Sequence, residues 1–127
     1  MQIKAIKVTR DDAGNFVRPK YTNFWFEYLR YATTVDLSGL DTSECLGMRC
    51  MFENAAGLTA IDVTHLNTSK VTDMSGLFDQ AWQLTSLDVS HFDTSQVTEM
   101  IDMFAGTKLV SLDLSNFNTS NVVNLEH

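Results

Sequence analysis

Residues 84–104 read LTSLDVSHFDTSQVTEMIDMF, three consecutive blocks that return elsewhere in the chain. The first, Leu84-Thr85-Ser86-Leu87-Asp88-Val89, returns as Leu58-Thr59-Ala60-Ile61-Asp62-Val63 and as Leu109-Val110-Ser111-Leu112-Asp113-Leu114. The second, Phe92-Asp93-Thr94-Ser95, matches Leu66-Asn67-Thr68-Ser69 and Phe117-Asn118-Thr119-Ser120. The third, Val97, Met100, Met103 and Phe104, matches Val71, Met74, Leu77 and Phe78. Asp36, Asp62, Asp88 and Asp113 mark the period, with steps of 26, 26 and 25 residues. Many columns agreeing at one period of this size identify an array of supersecondary units that bury their apolar faces on one another.

The columns predict what each unit does. Spaced Leu, Leu and Leu-like residues with small polar residues between them read as a short strand with one buried side. The Asp/Asn-Thr-Ser triplet turns the chain, and its serine (Ser43, Ser69, Ser95) suits a helix N-cap, since a hydroxyl accepts from unpaired first-turn amides. Val97, Met100, Ile101 and Phe104 then stand at i, i+3, i+4 and i+7, the buried stripe of a helix of about two turns. The expected fold is α/β, with a parallel β-sheet on one face and short helices on the other.

Working outward, Val35, Asp36 and Leu37 open an earlier unit that Cys45, Met48, Met51 and Phe52 close. Trp25-Phe26 lies one period before Met51-Phe52, and Ile3, Ile6 and Val8 repeat the strand spacing after a longer 29-residue step. The extra residues fall at Asp11-Asp12-Ala13-Gly14-Asn15, a turn-rich cluster. The expected organisation is an N-terminal capping unit over 1–31, a degenerate first repeat, followed by repeats over 32–124, three full and the last truncated. Residues 125–127, Leu125-Glu126-His127, read as an expression-tag remnant.

These residues resemble a leucine-rich repeat, and LTSLDVSHFDTSQVTEMIDMF is similar to the BspA-like bacterial surface repeat, also met as a mycoplasma lipoprotein repeat of 25–26 residues. The likeness covers residues 32–124 closely and reaches back through Pro19–Phe26; it departs at Cys45-Leu46-Gly47, where that family has a Val-Thr-polar run. It implies a leucine-rich-repeat solenoid, a secreted or cell-surface location, and adhesion or host-protein binding. It carries over no catalytic residue.

Composition narrows the function. With 127 residues, 44% hydrophobic and 20% charged, the chain has the make-up of one soluble globular domain. Nine basic against sixteen acidic residues leave a net charge of −7, which disfavours nucleic acid and anionic lipid as partners. No apolar run is long enough to span a membrane. Cys45 and Cys50 would point apart on a helix, and two thiols without histidine partners make no zinc site. Cys45 stands in a buried valine column, Cys50 in a column with Gly76 and Asp102. The methionines of the third block are expected to fill core space.

The candidate binding residues lie on the outward side of the strands, on the concave face: Asp36, Asp62, Asp88 and Asp113 in one row, Thr64 and Ser90 beside it, His65 and His91 at its edge. Two readings of the row stand. Flanking hydroxyls and water solvate a structural ladder, which the residue types favour, or the row holds a cation or a basic ligand. Like charges one strand spacing apart are expected to raise the carboxyl pKa of Asp62 and Asp88 relative to Asp113, so that Asp88→Asn leaves stability unchanged or improves it. The two histidines with a carboxylate could hold zinc, but Arg10, Gly39 and Asn116 fill their column elsewhere, so no metal and no cofactor is expected. Tyr21, Phe24, Trp25, Phe26, Tyr28 and Tyr31 are read as a cap over the first repeat, with a sugar- or protein-binding patch as the other reading.

The sequence therefore points to a non-enzymatic bacterial cell-surface or extracellular repeat domain. Its expected partner is a protein, of the host or the extracellular matrix. The alternative is a structural spacer or stalk within a larger surface protein. The last unit stops short of its Met and Phe. Its strand, Leu109–Ser115, is expected to leave an edge where the native protein continues or a neighbouring copy pairs.

Overall fold

The computed structural model describes residues 3–125. Two three-residue strands, β1 (Ala5–Lys7) and β2 (Thr34–Asp36), form a parallel pair in which Ala5, Ile6 and Lys7 face Thr34, Val35 and Asp36. Single parallel bridges continue the pairing elsewhere: Val17 with Leu40, Ala60 with Ser86, and a row running from Tyr21 through Gly47, Asp73 and Glu99 to Asn124. The rest is turns and irregular chain around a buried apolar and aromatic cluster.

Among the described residues there is no helix, and the expected sheet across the repeats is reduced to the β1–β2 pair and single bridges, with no strand at Leu58–Val63, Leu84–Val89 or Leu109–Leu114, so the α/β expectation is corrected. The reason lies in where the amide groups go. In an α-helix every N–H bonds back to the carbonyl four residues earlier. Over residues 74–80 alternate N–H groups leave the unit altogether: Met74, Gly76, Phe78 and Gln80 donate to the carbonyls of Glu99, Ile101, Met103 and Ala105, at 2.7–3.0 Å. The intervening Leu77 and Asp79 donate only three residues back, to Met74 and Gly76, at 3.2 and 3.1 Å. The preceding unit repeats the pattern, with Met48, Cys50, Phe52 and Asn54 donating to Asp73, Ser75, Leu77 and Asp79.

Two columns of left-handed backbone make this possible. Phe24, Cys50, Gly76 and Asp102 have φ of 62°, 54°, 63° and 54°, and Tyr28, Asn54, Gln80 and Gly106 have φ of 58°, 55°, 55° and 69°. A left-handed residue other than glycine costs about 1–2 kcal/mol. Buried backbone groups left unpaired would cost comparably, and here the next unit pairs them.

The third block buries most of the side chains that the sequence marks as buried, although in turns; Ile101 and Phe104, expected to be buried, are only partly so. Phe26, Phe52, Phe78 and Phe104 stack face to face, with ring centroids 5.4, 5.5 and 5.9 Å apart and planes within 16°. Met48, Met51, Met74, Met100, Met103, Val71, Val97 and Cys45 fill the space around this stack and are buried. Leu37, Val63 and Val89, then Leu40, Leu66 and Phe92, bury the strand side.

A buried hydroxyl ladder ties the units together. Thr42, Thr68 and Thr94 are buried. Each donates its Oγ1 hydrogen to a carbonyl of the next unit, Asn67, Asp93 or Asn118, at 2.9–3.1 Å. The same Oγ1 accepts the N–H of that residue at 2.7–2.8 Å. The serines that follow are not helix caps. Ser43, Ser69, Ser95 and Ser120 donate their N–H to the side-chain oxygen of Asp41, Asn67, Asp93 and Asn118, closing Asx turns.

Candidate functional site

Asp36, Asp62, Asp88 and Asp113 are exposed at one position of successive units. Each carboxylate turns back on its own chain. The N–H groups of Ser38, Thr64, Ser90 and Ser115 donate to the respective Oδ1 at 2.8–2.9 Å. Thr64 Oγ1 and Ser90 Oγ donate to the same Oδ1 atoms of Asp62 and Asp88. These bonds stabilise the ionised form.

The carboxyl pKa values are accordingly held below the ordinary 3.8, first by the hydroxyl and then by the amide of the residue two positions on, with burial opposing weakly. No neighbouring carboxylate is among the causes acting on Asp62 or Asp88, so the repulsion behind their expected rise relative to Asp113 is corrected. Repulsion between neighbours is outweighed; Asp88 acts on Asp113 only as the last of several causes. Lys7 Nζ stands 3.9 Å from Asp36 Oδ2 at one end of the row. The row is thus ionised at neutral pH, with hydroxyls committed to its own oxygens.

The histidines part company. His91 Nε2 lies 2.8 Å from the Val63 carbonyl, which can only accept, so this nitrogen carries the proton. Its ring meets Phe92 edge-on at 5.1 Å. The side chains of His65 and His91 are both exposed, and both stand near enough to Asp62 to favour its ionised form as minor causes after the Thr64 hydrogen bonds. Among the described residues no three His, Cys, Asp or Glu side chains converge where a metal ion could sit.

Two hollows were not assigned from sequence. Arg49, Cys50, Glu53, Ser75, Asp79 and Asp102 border one of about 290 Å³. Burial, and then Glu53, push the Cys50 thiol up to about 12, too high for a nucleophilic thiolate at neutral pH. Tyr28, Arg30, Asn54, Ala56, Trp82 and Gln83 border a larger one of about 580 Å³. The aromatic cluster read as a cap divides here: Phe26 is buried, whereas Tyr21, Phe24, Trp25, Tyr28 and Tyr31 are exposed. The sequence signal for the larger hollow was available in the column Arg30, Ala56, Trp82 and Lys108, where a small residue stands between large ones.

No helix among the described residues is long and apolar enough to cross a membrane. No curated protein and no solved structure matches the chain significantly. A family model does match residues 22–127, the span that holds the stacked phenylalanines, the threonine ladder and the whole aspartate row. The chain belongs to the family described as Mycoplasma protein of unknown function, DUF285.

Proposed function

We propose that the chain is a BspA-like leucine-rich-repeat solenoid, a non-enzymatic domain displayed outside a bacterial cell that binds a protein partner through the row Asp36, Asp62, Asp88 and Asp113. The observation that carries this reading is the row itself: exposed carboxylates at repeat spacing, each held ionised by its own turn. A rigid line of negative charge complements a basic patch on a host or extracellular-matrix protein, and charge complementarity of this kind raises association rates and sets register. Thr64, Ser90, His65 and His91 border the row. The experiment is a binding screen of matrix and host-surface proteins against the chain and its Asp62→Lys/Asp88→Lys variant. A partner lost by about tenfold or more in the variant, and weakened by salt, supports the reading. No partner above background, or one indifferent to the charge reversal, overturns it.

A spacer role is the second reading, supported by the unbroken phenylalanine stack and threonine ladder, which stiffen the array along its length. If removing a unit abolishes adhesion while the charge reversal leaves it intact, the spacer reading prevails. Self-association belongs to the same proposal. Met100, Met103, Phe104, Leu114, Phe117 and Leu125 border an apolar hollow of about 300 Å³ at the last unit, a surface suited to a second copy. Light scattering that shows a strict monomer at rising concentration removes that element.

A further inference from the structure

The larger hollow has a structural origin in one column. Arg30, Ala56, Trp82 and Lys108 occupy equivalent places in successive units. Ala56 leaves a gap between two large side chains, and the gap opens to about 580 Å³, within the usual range of small-ligand sites. Tyr28 and Trp82 stand at its ends, 66% and 56% exposed. They are two units apart, roughly 10 Å at the spacing of paired strands.

Tyr28, like Phe24, is an exposed aromatic residue with left-handed backbone. Its φ is 58°, in a column where the equivalents are Asn54, Gln80 and Gly106. Asparagine and glycine visit this conformation readily; a large aromatic residue rarely does. The backbone of Tyr28 is held there by the pairing of its N–H with the Glu53 carbonyl of the next unit, which fixes the position of an exposed ring beside the hollow.

We propose that this hollow binds an oligosaccharide that carries a carboxylate. The aromatic faces of Tyr28 and Trp82 offer platforms for the C–H faces of two sugar rings, burying apolar area while the hydroxyls stay outward. Gln83 supplies an amide group that both donates and accepts, as sugar hydroxyls require, and Asn54, whose Nδ2 makes a long 3.5 Å contact to Glu53 Oε1, supplies a second. Arg30 supplies the charge. It makes no ion pair among the described residues, unlike Arg18 and Arg49, which face Asp41 and Asp73. The bordering side chains include one cation and no carboxylate, in a chain whose net charge is −7. A planar guanidinium meets a carboxylate in paired hydrogen bonds, so a uronic-acid-type ring is the natural occupant beside it. This site is separate from the aspartate row and does not depend on the protein-binding reading.

The test is titration of the whole chain with oligogalacturonate and hyaluronan oligosaccharides, and with a cello-oligosaccharide of matched length as the neutral comparison. Calorimetry and tryptophan fluorescence read the binding. Saturable binding of at least one acidic oligomer, about tenfold tighter than the neutral one, is expected. Trp82→Ala should weaken it at least tenfold, and Ala56→Trp, which fills the gap without removing a contact, should do the same. Arg30→Gln should bring acidic and neutral oligomers to similar affinity. Thermal melting of each variant confirms that the fold persists; Trp82 and Arg30 are exposed, so it should. Absence of binding by both acidic oligomers overturns the proposal, as does binding indifferent to Trp82→Ala and Ala56→Trp. An acidic preference that survives Arg30→Gln overturns the assigned role of Arg30 and with it the choice of ligand class.

Discussion

The unit that starts at Leu58 and the unit that starts at Leu109 share the repeat pattern, with Leu, Asp, Asn-Thr-Ser and Val at equivalent places, and have different environments. Val63 is 1% exposed, and its equivalent Leu114 is 41% exposed. Thr68 is buried, Thr119 exposed. Yet the local turns agree. Leu66 N donates to the Val63 carbonyl at 3.0 Å and Phe117 N to the Leu114 carbonyl at 2.9 Å. Ser69 and Ser120 close Asx turns of the same length, 3.0 Å, on Asn67 and Asn118. The difference separates two levels of structure. Turn geometry is written within a unit, through bonds between residues two or three apart. Burial and the hydroxyl ladder exist only where a neighbouring unit receives them.

The comparison sharpens most at the phenylalanines. Phe78 is fully buried between Phe52 and Phe104, and its truncation to alanine should cost about 3–5 kcal/mol. Phe117, half-buried at the apolar hollow of the last unit, should cost about 1–2 kcal/mol, because less area is removed from contact. Urea melts of the two variants measure the difference. Equal losses would mean that the terminal unit is as tightly held as the central one.

The threonines come next. Thr68→Val keeps the shape but strands the Asp93 N–H and carbonyl inside the array, a loss of about 1–3 kcal/mol. Thr119→Val touches an exposed side chain and should stay within about 0.5 kcal/mol of the parent. The same melts check both. A neutral Thr68→Val would show that water replaces the hydroxyl and that the ladder contributes nothing net.

Much of this was legible in the sequence because stacking imposes a period. The columns Val71/Val97, Met74/Met100 and Phe78/Phe104 identified core residues without any structure. Their spacing misled on backbone conformation. Residues buried at i, i+3 and i+7 fit a helix, but they fit equally a chain that folds back every three residues and donates alternate amides to its neighbour. Cys50, Gly76 and Asp102 share left-handed backbone, and three such different side chains give no common signal for it. The middle threonine of the triplet was readable in principle. Thr42, Thr68, Thr94 and Thr119 repeat without variation, whereas a surface turn tolerates many residues. The exposure of the aspartate row was readable from its column, but its electrostatics required knowing that each Oδ1 faces the amide two residues on. The larger hollow depends on the absence of side-chain volume at Ala56, which a search for chemical groups passes over.

The smallest expected effect tests the separation of levels from the other side. Asp88 lies in a central part of the array and Asp113 in the terminal unit, yet Ser90 and Ser115 hold both pKa values below the ordinary 3.8 in the same way. Asp41, with Ser43 and Arg18 beside it, is held lower, at about 2. A carboxyl group whose folded pKa lies below its unfolded value binds fewer protons when folded, so its contribution is complete above 3.8 and disappears as pH falls through the folded value. Asp79 runs the other way: burial, with Asp102 and Glu53 nearby, raises its pKa, and acid relieves it. The lowered groups outnumber it, so the melting temperature should fall as pH drops from 5 to about 2. Asp88→Asn and Asp113→Asn each keep an oxygen that accepts the serine amide but lose the charge. Each should therefore lower the neutral-pH melting temperature slightly, in place of the unchanged or improved value that repulsion predicts, and flatten the acid slope by the same amount. Should Asp88→Asn flatten the slope while Asp113→Asn leaves it untouched, the Asx turn would need a neighbouring unit after all, and turn geometry could no longer be assigned to the single unit.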